Sequence, residues 1–202
     1  MKVLGIIGGI GSGKSQVAQE LARRAGDVSF LISGDQLGHE ALKQTELRKR
    51  VIERWGQAIV TPEGEVHRKK LGTIVFRDTD ERKALECIVF PYIERRIAEE
   101  IARAKRDPAT RLIVLDAAVM LEAGWDRHCD CLVFVDVPRD VRLQRLAEQR
   151  GWSEREVTAR EQAQWPLEDK KCRADFVIDN SGTAEQLVGQ IKDRLQRLGI
   201  ET

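Results

Sequence analysis

The sequence predicts an α/β fold in which a parallel five-stranded sheet is flanked by helices, and three observations carry that expectation. Short β-branched runs alternate with segments of helical period. A glycine-rich stretch, "GGIGSGKS" at 8–15, lies between the first of those runs and the first helical pattern. The length, 202 residues, suits one core of ordinary size and not two independent enzyme domains, so residues 1–202 read as a single domain.

Taken in order, strands are expected near 2–7, 28–32, 111–116, 131–136 and 175–179. The first is the apolar run Val3-Leu4-Gly5-Ile6-Ile7. The helix after it carries Val17, Ala18, Leu21 and Ala22 on one face and reaches a C-cap signal at Gly26. Residues 36–106 hold more helix than one crossover requires, so they are expected to form a small helical lobe. Its last part, from Asp80 to about Arg106, is amphipathic and contains Pro91, which is expected to kink the helix or split it in two. Residues 151–173 are highly charged and open with Ser153 and Glu156 as a capping box; they read as a mobile flap. Thr183 and Gln186 form a second capping box, before a final helix.

Composition narrows the partners. Lys and Arg number 34 against 33 Asp and Glu, a balance that gives no reason to expect nucleic acid or a membrane surface as a bulk partner. The longest apolar stretches are strand-sized, and the N-terminus enters a strand without a charged region and apolar h-region, which points to a soluble, cytoplasmic protein. A monomer or a small homo-oligomer fits equally. The cysteines, at 87, 129, 131 and 172, are expected to be reduced thiols, and "HCDC" at 128–131 offers too few ligands for a metal.

The glycine stretch carries the chemistry. It satisfies GxxxxGK[ST] through Gly8, Gly13, Lys14 and Ser15, in the strand–loop–helix context which that motif demands. Glycines let successive backbone N–H groups point at phosphate oxygens, and the new helix adds the positive end of its dipole. Gly9, Ile10, Gly11, Ser12, Gly13, Lys14, Ser15 and Gln16 are therefore the expected nucleotide-binding run. Lys14 supplies a charge to the β- and γ-phosphates, and the Ser15 hydroxyl is placed to ligate Mg²⁺. The fold is thus of the P-loop NTPase type.

Two acids follow predicted strands. Asp35 comes after the second strand, at the sheet edge where open α/β proteins bind ligands; it suits the acceptance of a proton from an attacking hydroxyl, and equally a helix N-cap. Asp116 closes the third strand and fits either a Mg²⁺ partner acting through water or a structural cap. In "RLQRLAEQRGWSEREVTAREQ", Arg142, Arg145, Arg150, Arg155 and Arg160 surround the flap, where one or two are placed to neutralise developing phosphate charge; the alternative is a solvated helix face. Arg150 and Arg160 are the leading candidates.

The sequence resembles the dephospho-CoA kinases over nearly its whole length. "GIIGGIGSGKS" is similar to that family's opening, "VLDAAVMLEAG" to its PLL-F-E segment, "RLQRLAEQRGWS" to its lid entry and "KKCRADFVIDNSG" to its distinctive AD-x-VIDN-x-G run. The resemblance implies ATP and Mg²⁺ as cofactors, dephospho-CoA as small-molecule substrate, and phosphorylation of its ribose 3′-hydroxyl, the last step of coenzyme A biosynthesis. By the same resemblance Asp35 is the catalytic acid, acting with Lys14 and Arg150. Arg145 and Arg150 are lid arginines on the nucleotide, Asn180 lies beside the adenine pocket, and Arg68, Asp116, Glu122, Arg160 and Lys170 serve the substrate. The chain departs from the pattern at Ser33-Gly34 (for the first two residues of DAD), His39 (for arginine), Phe90 (for the histidine of HP), Ala118 (for the proline of PLL) and in lacking the aspartate of the lid's RDG. The acceptor-lobe departures bear on substrate recognition more than on ATP use. Alternatives are another P-loop small-molecule kinase, for a nucleoside monophosphate or a sugar, and a regulatory nucleotide switch, against which stands the lack of an NKxD-type segment.

Overall fold

A computed structural model describes residues 1–200. Strand β1 (Lys2–Gly8) is buried at every position after Lys2, so it reads as a continuous apolar run, as strands covered on both faces do. It lies at the centre of a parallel sheet ordered β2-β3-β1-β4-β5, whose other members are β2 (Ser29–Ser33), β3 (Leu112–Asp116), β4 (Cys131–Asp136) and β5 (Phe176–Asp179). All five predicted strands are present, with ends that match or differ by one residue.

Helix α1 (Lys14–Ala25) buries Val17, Ala18, Leu21 and Ala25, and α9 (Ala184–Arg197) buries Leu187, Ile191 and Leu195. Both stripes pack with Leu4, Ile6, Val114, Val133, Val135 and Ile178 into one core on one face of the sheet. On the other face, a methyl group at Gly5 would meet Met120, Cys129 and Leu132, each at 2.7 Å. Glycine in mid-strand is the condition for that close approach.

The described residues fall into two compact units: Met1–Ser33 together with the chain from Glu99 on, and Gly34–Ala98. The second holds α2 (Gly34–Lys43), α3 (Thr45–Trp55), α4 (Arg68–Val75) and most of α5 (Thr79–Lys105), around buried Leu37, Ala41, Val51, Ile59, Leu71, Val75, Ile88 and Ile93. It therefore begins two residues before the predicted lobe and ends eight before it. Pro91 does not split α5, which is assigned as one helix from Thr79 to Lys105. The proline removes the hydrogen bond to the Cys87 carbonyl, but Cys87 is exposed and water can serve that carbonyl. Ile93, Ile97 and Ile101, buried at four-residue spacing, hold the helix on course past the break.

The first unit continues with α6 (Arg139–Arg150), α7 (Glu154–Glu161) and α8 (Leu167–Cys172) before β5. Both capping boxes form: Ser153 accepts from the Glu156 amide and Thr183 from the Gln186 amide, while each glutamate or glutamine side chain returns to the cap. No described helix is long and apolar enough to cross a membrane.

Candidate active site

Between β1 and α1 the chain turns through three glycines with positive φ: Gly8 at +147°, Gly11 at +79° and Gly13 at +80°. Each is a conformation that a side chain resists, and space resists it too. A Cβ at Gly8 would lie 2.7 Å from the Val135 carbonyl, and one at Gly13 would run into the Asn180 amide. Gly13 caps α1 with no side-chain hydrogen bond, and the first turn holds no acidic residue, so the helix presents bare amides and its positive end to the loop. The Lys14 ammonium reaches back over the loop, donating to the carbonyls of Gly8 (3.2 Å) and Gly9 (2.9 Å). Ser12 is fully buried with its Oγ unpartnered, while Ser15 and Gln16 are exposed at the start of α1. A positive helix end, an ammonium group and backbone donors around a curled backbone fit a chain of phosphates.

The surrounding strands buttress this loop. Asp116 pairs in register with Ile6 on the neighbouring strand and is 9% exposed, which puts its carboxylate at the same sheet edge as the loop. Asn180, just past β5, donates from Nδ2 to the Ser12 carbonyl (2.9 Å), and its own carbonyl accepts from Arg145 (2.8 Å). Arg145 and Asn180 are thus brought together beside the loop. Arg142 is one of the five arginines expected around the flap, but not a leading candidate. It is buried beneath the glycines, and its signal was available: with Leu146 at i+4 it lies on the buried stripe of α6.

The charged segment 151–173 is tied down at both of its helices. Arg139 bonds Glu154, Thr158 and Glu161, joining α6 to α7. Arg150 and Arg160 stack on the same indole, Trp152, with their guanidinium carbons 5.0 and 4.1 Å from the ring centroid. Burial and then the neighbouring Arg150 press the Arg160 pKa down, against a partial pull upward from Glu156. Lys170 is 1% exposed and forms a 2.8 Å ion pair with Glu122, with Gln164 as a further acceptor; the same Glu122 oxygen accepts from the Trp165 amide. Lys170 and Glu122, expected on the substrate, face each other.

In the helical unit, α2 starts at Gly34, so Asp35 is inside its first turn, not at the capping position, and is exposed. His39 follows one turn later, within electrostatic range of Asp35 and of Arg68 at the start of α4. Burial holds the His39 pKa below its ordinary value, Arg68 adds to the effect and Asp35 opposes it. Its Nε2 is buried without a hydrogen-bond partner. Among the described residues no group of three or more His, Cys, Asp and Glu side chains is arranged for a metal, the "HCDC" stretch included.

A parallel sheet with a GxxxxGKS loop after its central strand, an acid on the adjacent strand and an arginine-bearing helical segment beyond defines a P-loop phosphotransferase. Comparison with known proteins is more specific. The family model for dephospho-CoA kinase matches residues 2–186. The chain is 35% identical over 201 residues to the dephospho-CoA kinase of Thermobifida fusca, covering 98% of each chain. It is 37% identical over 194 residues to that of Geobacter sulfurreducens, covering 96% of each. A solved structure from Thermus thermophilus superposes with a TM-score of 0.77 at 34% identity, over 98% of this chain and 97% of the other. The chain belongs to the dephospho-CoA kinase family, and it is an ATP-dependent kinase.

Proposed function

We propose that this chain transfers the γ-phosphate of ATP to the ribose 3′-hydroxyl of dephospho-CoA, giving coenzyme A and ADP, with the Asp35 carboxylate as the base that receives the hydroxyl proton. The observation that carries this reading is the glycine loop with Lys14 drawn over it, in a chain of this family. Gly9 to Gln16 grip the phosphates through backbone amides, and Lys14 bridges the β- and γ-phosphates, where charge accumulates as the bond to the leaving group lengthens. Mg²⁺, when bound with the nucleotide, supplies further charge neutralisation; the exposed Ser15 hydroxyl and, through water, Asp116 suit holding it. Arg145, Arg150 and Arg160 contribute positive charge from the lid, with Arg150 beside the transferred group. Asn180 shapes the nucleotide site by holding Ser12.

On the acceptor side, Asp35 and Arg68 flank His39 in the helical unit. With its pKa held below the ordinary value, His39 is a neutral hydrogen-bonding group at neutral pH, where a family arginine would be a fixed cation. Glu122 and Lys170 serve the substrate indirectly, by fixing the base of the segment that covers it. The chain works as one kinase domain, with residues 36–106 as acceptor lobe and 151–173 as lid, in the cytoplasm, as a monomer or small homo-oligomer, with no nucleic-acid partner.

Asp35→Asn tests the reading because it keeps shape while removing the basic site. With MgATP and dephospho-CoA, kcat is expected to fall on the order of 10²–10⁴, with melting temperature and ATP affinity unchanged. A kcat within fivefold of the parent removes Asp35 from the mechanism. Product mass across dephospho-CoA, nucleoside monophosphates and gluconate tests the acceptor.

A further inference from the structure

The underside of the glycine loop rests on one buried arginine. Arg142, its side chain 3% exposed, donates from Nη1 both to the Ile10 carbonyl (3.1 Å) and to the Glu161 carboxylate of α7 (2.6 Å), and from Nε to the Val137 carbonyl (3.2 Å). Its guanidinium lies flat against Gly9, where a Cβ would come within 3.0–3.2 Å of Nη1, Cζ and Nε. One turn on, Leu146 does the same for Gly11, whose Cβ would meet it at 2.9 Å. A single face of α6 therefore moulds the two glycines that must curl around a phosphate.

We infer that Arg142 is a positioning residue that aims the phosphate-binding amides of the loop and couples them to helix α7 through Glu161. The argument is one of peptide geometry. No peptide bond among the described residues is cis, and in a trans peptide the carbonyl and the following N–H point in opposite directions. Holding the Ile10 carbonyl down onto α6 therefore turns the Gly11 N–H up, toward the phosphates. Asn180 does the equivalent one peptide pair later, its bond to the Ser12 carbonyl aiming the Gly13 N–H. Arg142 differs from Asn180 in its second partner. Glu161 closes α7, so any displacement of that helix pulls on the atom that also holds Ile10. A guanidinium has the donors for both duties at once; a lysine ammonium in that slot lacks the planar fork that also reaches Val137. The inference rests on the nucleotide phosphates being seated at the glycine loop.

The test is ATP affinity and the steady-state constants of Arg142→Gln and Arg142→Lys against the parent, with Glu161→Gln as a variant that leaves the Ile10 contact in place. Losing a charge-assisted hydrogen bond that pre-orders the loop should weaken ATP binding about 10- to 100-fold in Arg142→Gln. Arg142→Lys should recover part of that loss and Glu161→Gln should lose about 3- to 10-fold. KM for dephospho-CoA should stay within twofold, and the backbone amides of residues 9–13 should exchange faster in the free variant. ATP affinity within threefold of the parent in a folded Arg142→Gln overturns the inference, as does a parallel rise in both KM values, which is what general loosening would produce. If Arg142→Gln does not fold, an unchanged ATP affinity in Glu161→Gln overturns it. A parent that binds no ATP overturns the nucleotide reading beneath, and this inference with it, and is distinct from either of those results.

Discussion

Cys129 shows how far one environment can silence a reactive group. It lies among Met120, Gly5 and Leu132, and burial pushes its thiol pKa up to about 12, with Asp126, Asp130 and Cys131 adding smaller pushes. At pH 8 an exposed thiol is partly thiolate, whereas this one is almost wholly protonated. Alkylation with iodoacetamide, followed by peptide mass mapping, should therefore label the exposed Cys87 and Cys172 first and leave Cys129 unmodified until the protein unfolds. The sign for stability follows from the raised pKa. The contribution of the neutral thiol is complete below 9.0, its ordinary value, and is lost as pH climbs toward 12. Cys129→Ser should flatten that alkaline limb of a chemical-denaturation series. The sequence reading of the thiols as reduced had no access to this, because the pressure on Cys129 comes from side chains brought in by the fold.

Among the elements, the 151–173 segment, read from its charge density as a mobile flap, uses some of those charges as anchors: Arg139 and Arg142 hold α7, and the buried Lys170–Glu122 pair holds α8. Those two anchors differ in strength. Arg139 is exposed, so its bonds are worth little, while Lys170 and Glu122 are shielded from water. Hydrogen exchange should show α8 protected in the free enzyme and α7 gaining protection when a non-hydrolysable ATP analogue and dephospho-CoA are both bound; equal exchange in α7 with and without ligands would make it a surface helix only. Removing one partner of the buried pair strands the other's charge. Lys170→Met is expected to cost about 3–5 kcal/mol in urea denaturation, and the Lys170→Met/Glu122→Met double variant to recover most of it. A double variant as unstable as the single one would show that the pair's charges are not what matters.

Across the whole molecule, what the sequence made legible was whatever depends on neighbours in the chain. Strand positions, the two capping boxes and the glycine loop are local patterns, and the structure has them all. Of the two outcomes expected at Pro91, a kink or a split, the split does not occur, because tertiary packing of Ile93, Ile97 and Ile101 carries the helix past the proline. Asp35 could be placed after β2 by pattern, and His39 one turn on along the same helix, while the nearness of Arg68 to His39, across a separation of 29 residues, needed the fold to appear. Arg142 and the Lys170–Glu122 pair were harder still. Their partners are 132 residues away at Ile10 and on the far side of β4 and α6 respectively, and a charge run carries no mark of which member turns inward.

The central place of β1 has a consequence for how the protein is made. The ribosome delivers this strand before the other four of the sheet, but the strands on either side of it, β3 and β4, begin at Leu112 and Cys131. At the usual pace of translation, about 5–20 residues per second, the nascent chain carries an unpaired and almost wholly apolar ribbon for roughly 5–20 s before either neighbour exists. Its exposed ladder groups are open to any other edge in the meantime, including that of a second nascent chain on the same message. The arrangement that buries the phosphate loop's foundation most deeply in the finished enzyme is therefore the one that leaves it longest unguarded during birth, and chaperones that shield emerging apolar segments have their task set by the position of this strand.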